Sequence, residues 1–371
     1  MEPLRGCWAA ARAPPSGLTL CRVDDLGRLA LDLVNIPSVS RGEQRITAWI
    51  AERVAGLPDL RVLHRQDDAI VFGPPGRPDV VLAGHSDTVP EQGNLPGRLE
   101  DGRVHGLGAA DMKGSLAVML ALAGELGRLA PRLRPLFVVF GREELAIAES
   151  VLEGLFTSCP AILGARLAVV MEPTANRLQL GCLGNVKATL EFRGVAAHSA
   201  RPWLGVNAIH EAVRGLRRIA DAEPHEVVLG GLPFREVVSV TEIAGGVANN
   251  VVPDHVVCGL NFRYGGQRTP AGAEERLREL AGPDGELQVV SNAPAAPVAI
   301  DNPLLQRLRA AGDLAAEPKQ AWTPVAEFAA HGLDAVNFGP GDPALAHRRD
   351  ERVEVEAMSA TLSVLRRFLS G

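Results

Sequence analysis

Three unbroken apolar runs rich in β-branched residues, VVLAG (80–84), LFVVFG (136–141) and LAVVME (167–172), constrain this chain more than any other feature. A strand exposed on one face alternates apolar with polar residues, so runs without alternation belong to strands covered on both faces. Between the first two lies SLAVMLALAGELGRL (115–129), apolar over the length of a helix. Strand, helix and strand in that order predict an α/β fold around a mixed, largely parallel sheet. Ligands of such sheets gather outside the carboxyl ends of the strands. His85 follows the first run, Glu144 follows the second and Glu172 closes the third, which puts three potential metal donors on one edge.

Around this unit the pattern changes twice. Residues 23–57 carry apolar residues at a helical period, interrupted at Pro37 and Ser38, and predict two opening helices. From about Gly181 short strand-like segments such as NVKATLEF and VVCGLNFRYG alternate with two helical ones, which predicts a small α/β unit with an antiparallel-leaning sheet. Pro294 and Pro297 mark its exit, after which NPLLQRLRAAG and DAVNFG supply a helix and a strand to the first unit. The expected division is an extension at 1–16, a main domain from 17–180 and 296–371, and an insertion at 181–295. The Ala-, Pro- and Arg-rich extension has no expected catalytic use.

Composition narrows the classes of function. A length of 371 residues exceeds what one core usually serves. Acidic and basic residues are mixed to a net charge of -6, with no basic stripe for nucleic acid and no polybasic membrane anchor, so small solutes are the expected partners. No apolar run reaches the roughly 18 residues of a membrane span. The five cysteines are odd in number, scattered and without a CxxC pair. They fit a reducing cytoplasm better than a disulfide framework or a thiolate zinc site.

The chemistry rests on His85, Asp111, Glu144, Glu172 and His347. Two imidazoles and three carboxylates suit zinc or a similar divalent ion, and five donors with one shared can hold two. In HSD (85–87), residues two apart at a strand end face the same way, so Asp87 can accept from the far ring nitrogen of His85. GHSDT (84–88) resembles a serine nucleophile elbow, but Thr88 stands where the last glycine belongs. GLGAAD (106–111) resembles a dinucleotide loop, but Asp111 replaces its last glycine. An Asp there can cap a helix, or its two oxygens can each meet a cation. Adjacent Glu143 and Glu144 repel each other unless cations neutralise them, and one can bind metal while the other takes a proton from water. His347 lies in a polar loop after AVNFG and the turn GPGDP.

Taken in order, LAGHSDTVP, GAADMKG, GREEL, VVMEPT, AHSARPWLGVNAI and the terminal AH..DE.V resemble the two-zinc aminoacylase and carboxypeptidase family over nearly everything from residue 24 onward. Within that family, NFRYG (261–265) and AVNFGPGDP (335–343) look most like succinyl-diaminopimelate desuccinylases of the actinobacterial type. The resemblance implies a phosphorylase/hydrolase-like zinc-peptidase catalytic domain with an inserted ferredoxin-like α+β lid and dimerisation domain. It implies two zinc ions, with cobalt or manganese as substitutes. His85 and Glu172 would hold one, Glu144 and His347 the other, and Asp111 would bridge them. Glu143 becomes the general base and acid, and Asp87 the orienter of His85. His198 would reach the partner subunit's site in a homodimer to stabilise an oxyanion, with Asn250, helped by Asn249, as an amide donor. Arg263 offers a planar fork to a substrate carboxylate.

The implied reaction is hydrolysis of an N-acyl amide, foremost N-succinyl-LL-2,6-diaminopimelate to succinate and LL-2,6-diaminopimelate. Acetylornithine deacetylase or dipeptidase activity is the alternative, and a non-catalytic metal-binding homologue stands in a different class. Two departures bear on this choice. Pro324 and Glu327 stand where related desuccinylases commonly have Asp and Arg, and an inward-facing Glu327 would repel a succinyl carboxylate. REELAIAES also lacks the glycine-rich run that many members carry after the two glutamates.

Overall fold

The computed structural model describes residues 23–371, so the expected extension at 1–16 lies outside the described residues. Among these, an eight-stranded sheet runs in the order Arg61–Gln66, Ala69–Gly73, Pro135–Phe140, Val80–His85, Leu167–Val170, Ala335–Asn337, Leu178–Leu180 and Ala316–Pro318. The four middle strands, from Pro135–Phe140 to Ala335–Asn337, are mutually parallel, and antiparallel pairs lie towards the edges. The sheet is therefore mixed and largely parallel, as the apolar runs predict.

Burial on both faces explains those runs. Val80, Leu82, Phe137 and Val169 face a core shared with the helices Val23–Val34, Gln44–Ala55, Gly114–Leu129, Pro303–Gly312 and Val355–Ser370. Their sequence neighbours Val81, Ala83, Val138 and Val170 face a second core with the helices Leu152–Ser158 and Val325–Ala330. Each fully buried Val, Leu or Phe contributes about 1.5–3 kcal/mol, so neither face tolerates a polar residue. Gly84 is small for a reason: a Cβ there would lie 2.6 Å from the Met112 methyl and 3.2 Å from Leu116. Its absence lets the strand that ends in His85 press against Gly114–Leu129 and the turn before it.

Between Gly184 and Ala293 the chain forms its own antiparallel five-stranded sheet. Its order is His225–Leu229, Leu232–Gly245, His255–Tyr264, Gly184–Arg193 and Glu286–Ala293. The last four follow the ferredoxin-like order 2-3-1-4 when numbered along the chain, and the helices Ala208–Ala220 and Pro270–Ala281 close a third core over them. Asn207 and Thr269 cap these helices by accepting from backbone N–H groups of the first turn. A three-stranded sheet of Arg98–Glu100, Arg103–His105 and Arg352–Glu354 brings the end of the chain beside the Asp111 turn. No helix among the described residues is long and apolar enough to cross a membrane.

Candidate metal centre

His85 ends a strand whose six residues are all buried, and its ring is shielded from solvent. Nδ1 faces the backbone carbonyl of Asp87 at 3.1 Å and the Asp87 carboxylate at 3.4 Å. With Nδ1 donating there, Nε2 is left to Asp111 Oδ1 at 3.0 Å and Glu172 Oε1 at 3.9 Å. Burial opposes a charge on His85, yet its hydrogen bonds to Asp111 and Asp87 raise its pKa well above the ordinary imidazole value.

Asp87 does more than orient that ring. Its oxygens also accept from the Glu143 and Glu144 N–H groups, at 3.1 and 3.2 Å, and from the Ser40 hydroxyl at 2.7 Å. Burial disfavours its charge, but the bonds from His85, Ser40 and Glu143 keep its pKa below the usual carboxylate range. One buried carboxylate thus ties the end of Val80–His85 to the turn that presents the paired glutamates. That turn contains Arg142 in the left-handed region (φ 62°), held by its N–H bond to Glu43 and its ion pair with Asp68.

Asp111 sits in the turn Ala109–Lys113, three residues before the helix Gly114–Leu129 begins, with φ -124° and ψ 90°. It is no helix cap. Oδ1 meets His85 and Oδ2 meets His347 Nε2 at 3.5 Å, so each oxygen faces a different histidine. His347, at φ 61°, also reaches Glu144 Oε1 at 2.9 Å. That bond to Glu144 lifts His347 to about 9. Burial together with the Asp111 carboxylate lifts Glu172 to about 7. Burial and the carboxylates of Glu172, Glu144 and Asp111 push Glu143 well above its ordinary value.

Among the described residues, three groups have donor atoms within 4.8 Å of one another: His85, Asp111 and Glu172; Asp111, Glu144 and His347; and His85, Glu143 and Glu144. Asp111 belongs to the first two. The donor set fits divalent cations. Mutually repelling carboxylates converge on two imidazoles, and Glu172 Oε1 is buried with no hydrogen-bond partner. A buried oxygen of that kind is costly unless something binds it. The site therefore has the charge and the donor types for metal, one buried donor atom having no other hydrogen-bond partner among the described residues.

Residues 81–371 match the model of peptidase family M20/M25/M40. The chain belongs to this family. A Mycobacterium tuberculosis protein provisionally assigned as succinyl-diaminopimelate desuccinylase DapE is 38% identical over 348 residues, covering 92% of this chain and 97% of its own. The succinyl-diaminopimelate desuccinylase of Corynebacterium glutamicum is 37% identical over 347 residues, covering 91% and 94%. Among solved structures, the M20 family metallo-carboxypeptidase Sso-CP2 of Sulfolobus solfataricus superposes with a TM-score of 0.75 at 16% identity, covering 93% of this chain and 98% of its own. As an M20 member the chain has the framework of a metal-dependent amidohydrolase.

The remaining candidates of this M20 chain lie on the five-stranded sheet or beside it. His198 is exposed, in the two-residue strand Ala197–His198 paired with Val251–Val252, and its Nδ1 accepts from Ala200 N at 3.1 Å. Ser199 N donates to the Asn250 carbonyl at 2.9 Å, so His198 and the exposed pair Asn249 and Asn250 form one cluster. Among the described residues, no hydrogen bond or ion pair joins that cluster to the five donors. Arg263 is partly buried, donates to Asn261 and lines a cavity of about 340 Å³ together with Arg235 and Gln320.

Two buried groups escaped the sequence reading. Glu351 accepts from three N–H groups around Asp111, and burial with the Asp111 charge lifts it to about 7. Lys319 donates to the Pro173 carbonyl at 3.3 Å, and its charge bears on both Asp111 and Glu172. Glu351 falls within the family motif AH..DE.V, which was the available signal for it.

Proposed function

We propose that this chain is a zinc-dependent amidohydrolase that removes succinate from N-succinyl-LL-2,6-diaminopimelate, releasing LL-2,6-diaminopimelate for lysine synthesis. The observation that carries this reading is the convergence of His85, Glu172, Asp111, Glu144 and His347 beside Glu143. Similarity to desuccinylases over more than nine-tenths of the chain adds the substrate. His85 and Glu172 would hold one zinc, Glu144 and His347 the other, with Asp111 between them. Cobalt or manganese would accept the same donors. Zinc bound there supplies Lewis acidity, polarising the scissile carbonyl and making water a stronger acid. Burial and the neighbouring carboxylates raise the proton affinity of Glu143, so that as the carboxylate it would take the proton of the attacking water and, once protonated, return it to the leaving amine. Asp87 keeps the His85 ring oriented and the Glu143–Glu144 turn in place.

The cavity beside the five-stranded sheet supports an anionic acyl group. Arg263 and Arg235 place two guanidinium groups on it, although Glu226 shares the lining. Glu327 does not line it: its carboxylate is buried against the Ser150 hydroxyl. That placement supports the succinyl reading against the charge conflict anticipated at that position.

The same reading takes 181–295 as a lid and dimerisation domain inserted between 17–180 and 296–371. It makes the enzyme a cytoplasmic homodimer in which His198, Asn249 and Asn250 complete the partner's site. Supporting the dimer, residues 237–245 of Leu232–Gly245 have, among the described residues, a strand neighbour on one side only, and Trp203, Val213, Ile243 and Val247 are exposed.

Succinate release from N-succinyl-LL-2,6-diaminopimelate by the zinc-loaded protein tests the reaction, with acetylornithine and dipeptides as competitors. The expected result is the highest kcat/KM on the succinyl substrate and a loss of about 10²–10⁴-fold in kcat for Glu143→Ala. Release no faster than from that variant would sink the assignment, and a preference for acetylornithine or a dipeptide would move the specificity.

A further inference from the structure

Glu351 is 2% exposed and lies four residues after His347. Its Oε1 accepts from Ala110 N and Asp111 N, and its Oε2 from Gly108 N, each at 3.0 Å. The Glu351 carbonyl in turn accepts from Gly106 N at 3.0 Å, and the next residues, Arg352–Glu354, pair with Arg103–His105. One short segment therefore grips the Asp111 turn from both sides while carrying His347 to Asp111 Oδ2 and Glu144. Lys113, whose charge is felt by Glu351, is itself buried and donates from Nζ to the Ile36 carbonyl at 2.8 Å. No other side chain among the described residues accepts from Gly108, Ala110 or Asp111 N–H.

We propose that Glu351 is a positioning residue that fixes Asp111 between His85 and His347 and so sets metal affinity at both positions together. The proposal rests on the metal-centre reading above, and its reasoning is geometric. Asp111 has a non-helical backbone and no regular secondary structure to hold it. Three backbone N–H bonds to the two oxygens of one carboxyl group replace what a helix or ladder would supply. A carboxamide at 351 keeps the size but can offer only one oxygen, and its NH2 group would confront N–H donors.

Glu351→Gln and Glu351→Ala test this by chelator competition for zinc, the visible spectrum of the cobalt(II)-loaded protein, and steady-state kinetics. Folding is checked by far-UV circular dichroism. The expected result is zinc binding weakened about 10–100-fold at both positions, an altered cobalt spectrum, and a fall in kcat larger than the change in KM. Glu351→Asp, which keeps the charge, should recover part of the affinity, and Glu354→Ala, whose residue lies exposed against Arg103, should match wild type. Glu351→Gln that folds and binds zinc within about twofold of wild type, with an unchanged cobalt spectrum, overturns the proposal. Should neither variant fold, amide exchange at Gly108, Ala110 and Asp111 in the metal-free wild type decides: slow exchange supports the brace and fast exchange overturns it. A wild type that takes up no zinc would overturn the metal-centre reading and this proposal with it, whereas wild-type uptake with an unaffected Glu351→Gln overturns the proposal alone.

Discussion

Glu327 shows how a buried carboxyl outside the centre can affect stability. Burial lifts its carboxyl to about 7, with Glu153 adding to the shift and the Ser150 hydroxyl and His331 opposing it. Between its unfolded value near 4.5 and about 7 the folded chain holds a proton that the unfolded chain has released. The stability this contributes is complete below about pH 4.5 and is lost as pH rises through about 7. The gap corresponds to roughly 3 kcal/mol as an upper figure. Glu327→Gln keeps the shape without the charge, so in urea unfolding of the metal-free protein it should gain about 1–3 kcal/mol over wild type at pH 8 and little at pH 5. An equal gain at both values would show that ionisation is not the cause. The residues of the centre differ greatly in how legible they are in the sequence. His85, Glu144 and Glu172 follow strands whose apolar runs announce themselves. Apart from the family motif it falls in, Glu351 carries no such mark, because accepting three backbone N–H groups requires only a carboxylate in the right place. An acidic residue in RRDERV reads as solvated surface.

At the scale of elements, the turn GPGDP (339–343) contacts the centre through backbone. A Cβ on Gly339 would lie 2.5 Å from the Met171 and Glu172 carbonyl oxygens, and one on Gly341 would lie 2.2 Å from the Ala110 oxygen. No rotamer relieves a clash with backbone, so Gly339→Ala and Gly341→Ala must displace the segments carrying Glu172 and Asp111. Each is expected to cost about 1–3 kcal/mol and to weaken zinc binding. Gly154, inside the helix Leu152–Ser158, is the control, because a Cβ added there would meet nothing within 4 Å. Its Ala variant should be as stable as wild type or up to about 1 kcal/mol better in the same unfolding assay. Unchanged stability and zinc affinity in Gly341→Ala would mean that the turn yields freely. Other elements left weaker traces in the sequence. Arg61–Gln66 is an exposed, polar edge strand, and Leu178–Leu180 and Ala316–Pro318 have three residues each, too few for periodicity to register. The central strands were legible because both of their faces are covered.

For the whole molecule, the placement of His198 separates a self-contained site from a shared one. Within one chain its cluster makes no hydrogen bond or ion pair with the five donors among the described residues, while helix Ala208–Ala220 and the open half of Leu232–Gly245 beside it leave Val213 and Ile243 exposed. If a second copy covers these residues, Val213→Glu with Ile243→Glu should yield a monomer by light scattering that still binds zinc but has lost most of its kcat. Mixing chains gives the sharper measurement. A His198→Ala chain retains Glu143, and a Glu143→Ala chain retains His198, so each homodimer lacks a group at both sites. Random exchange makes half of the dimers mixed, and in a mixed dimer one site combines Glu143 of one chain with His198 of the other, restoring about a quarter of wild-type activity. If His198 instead serves its own chain, both sites of the mixed dimer stay defective. The mixture then remains as inactive as its components, even with subunit exchange verified by mass-tagged chains.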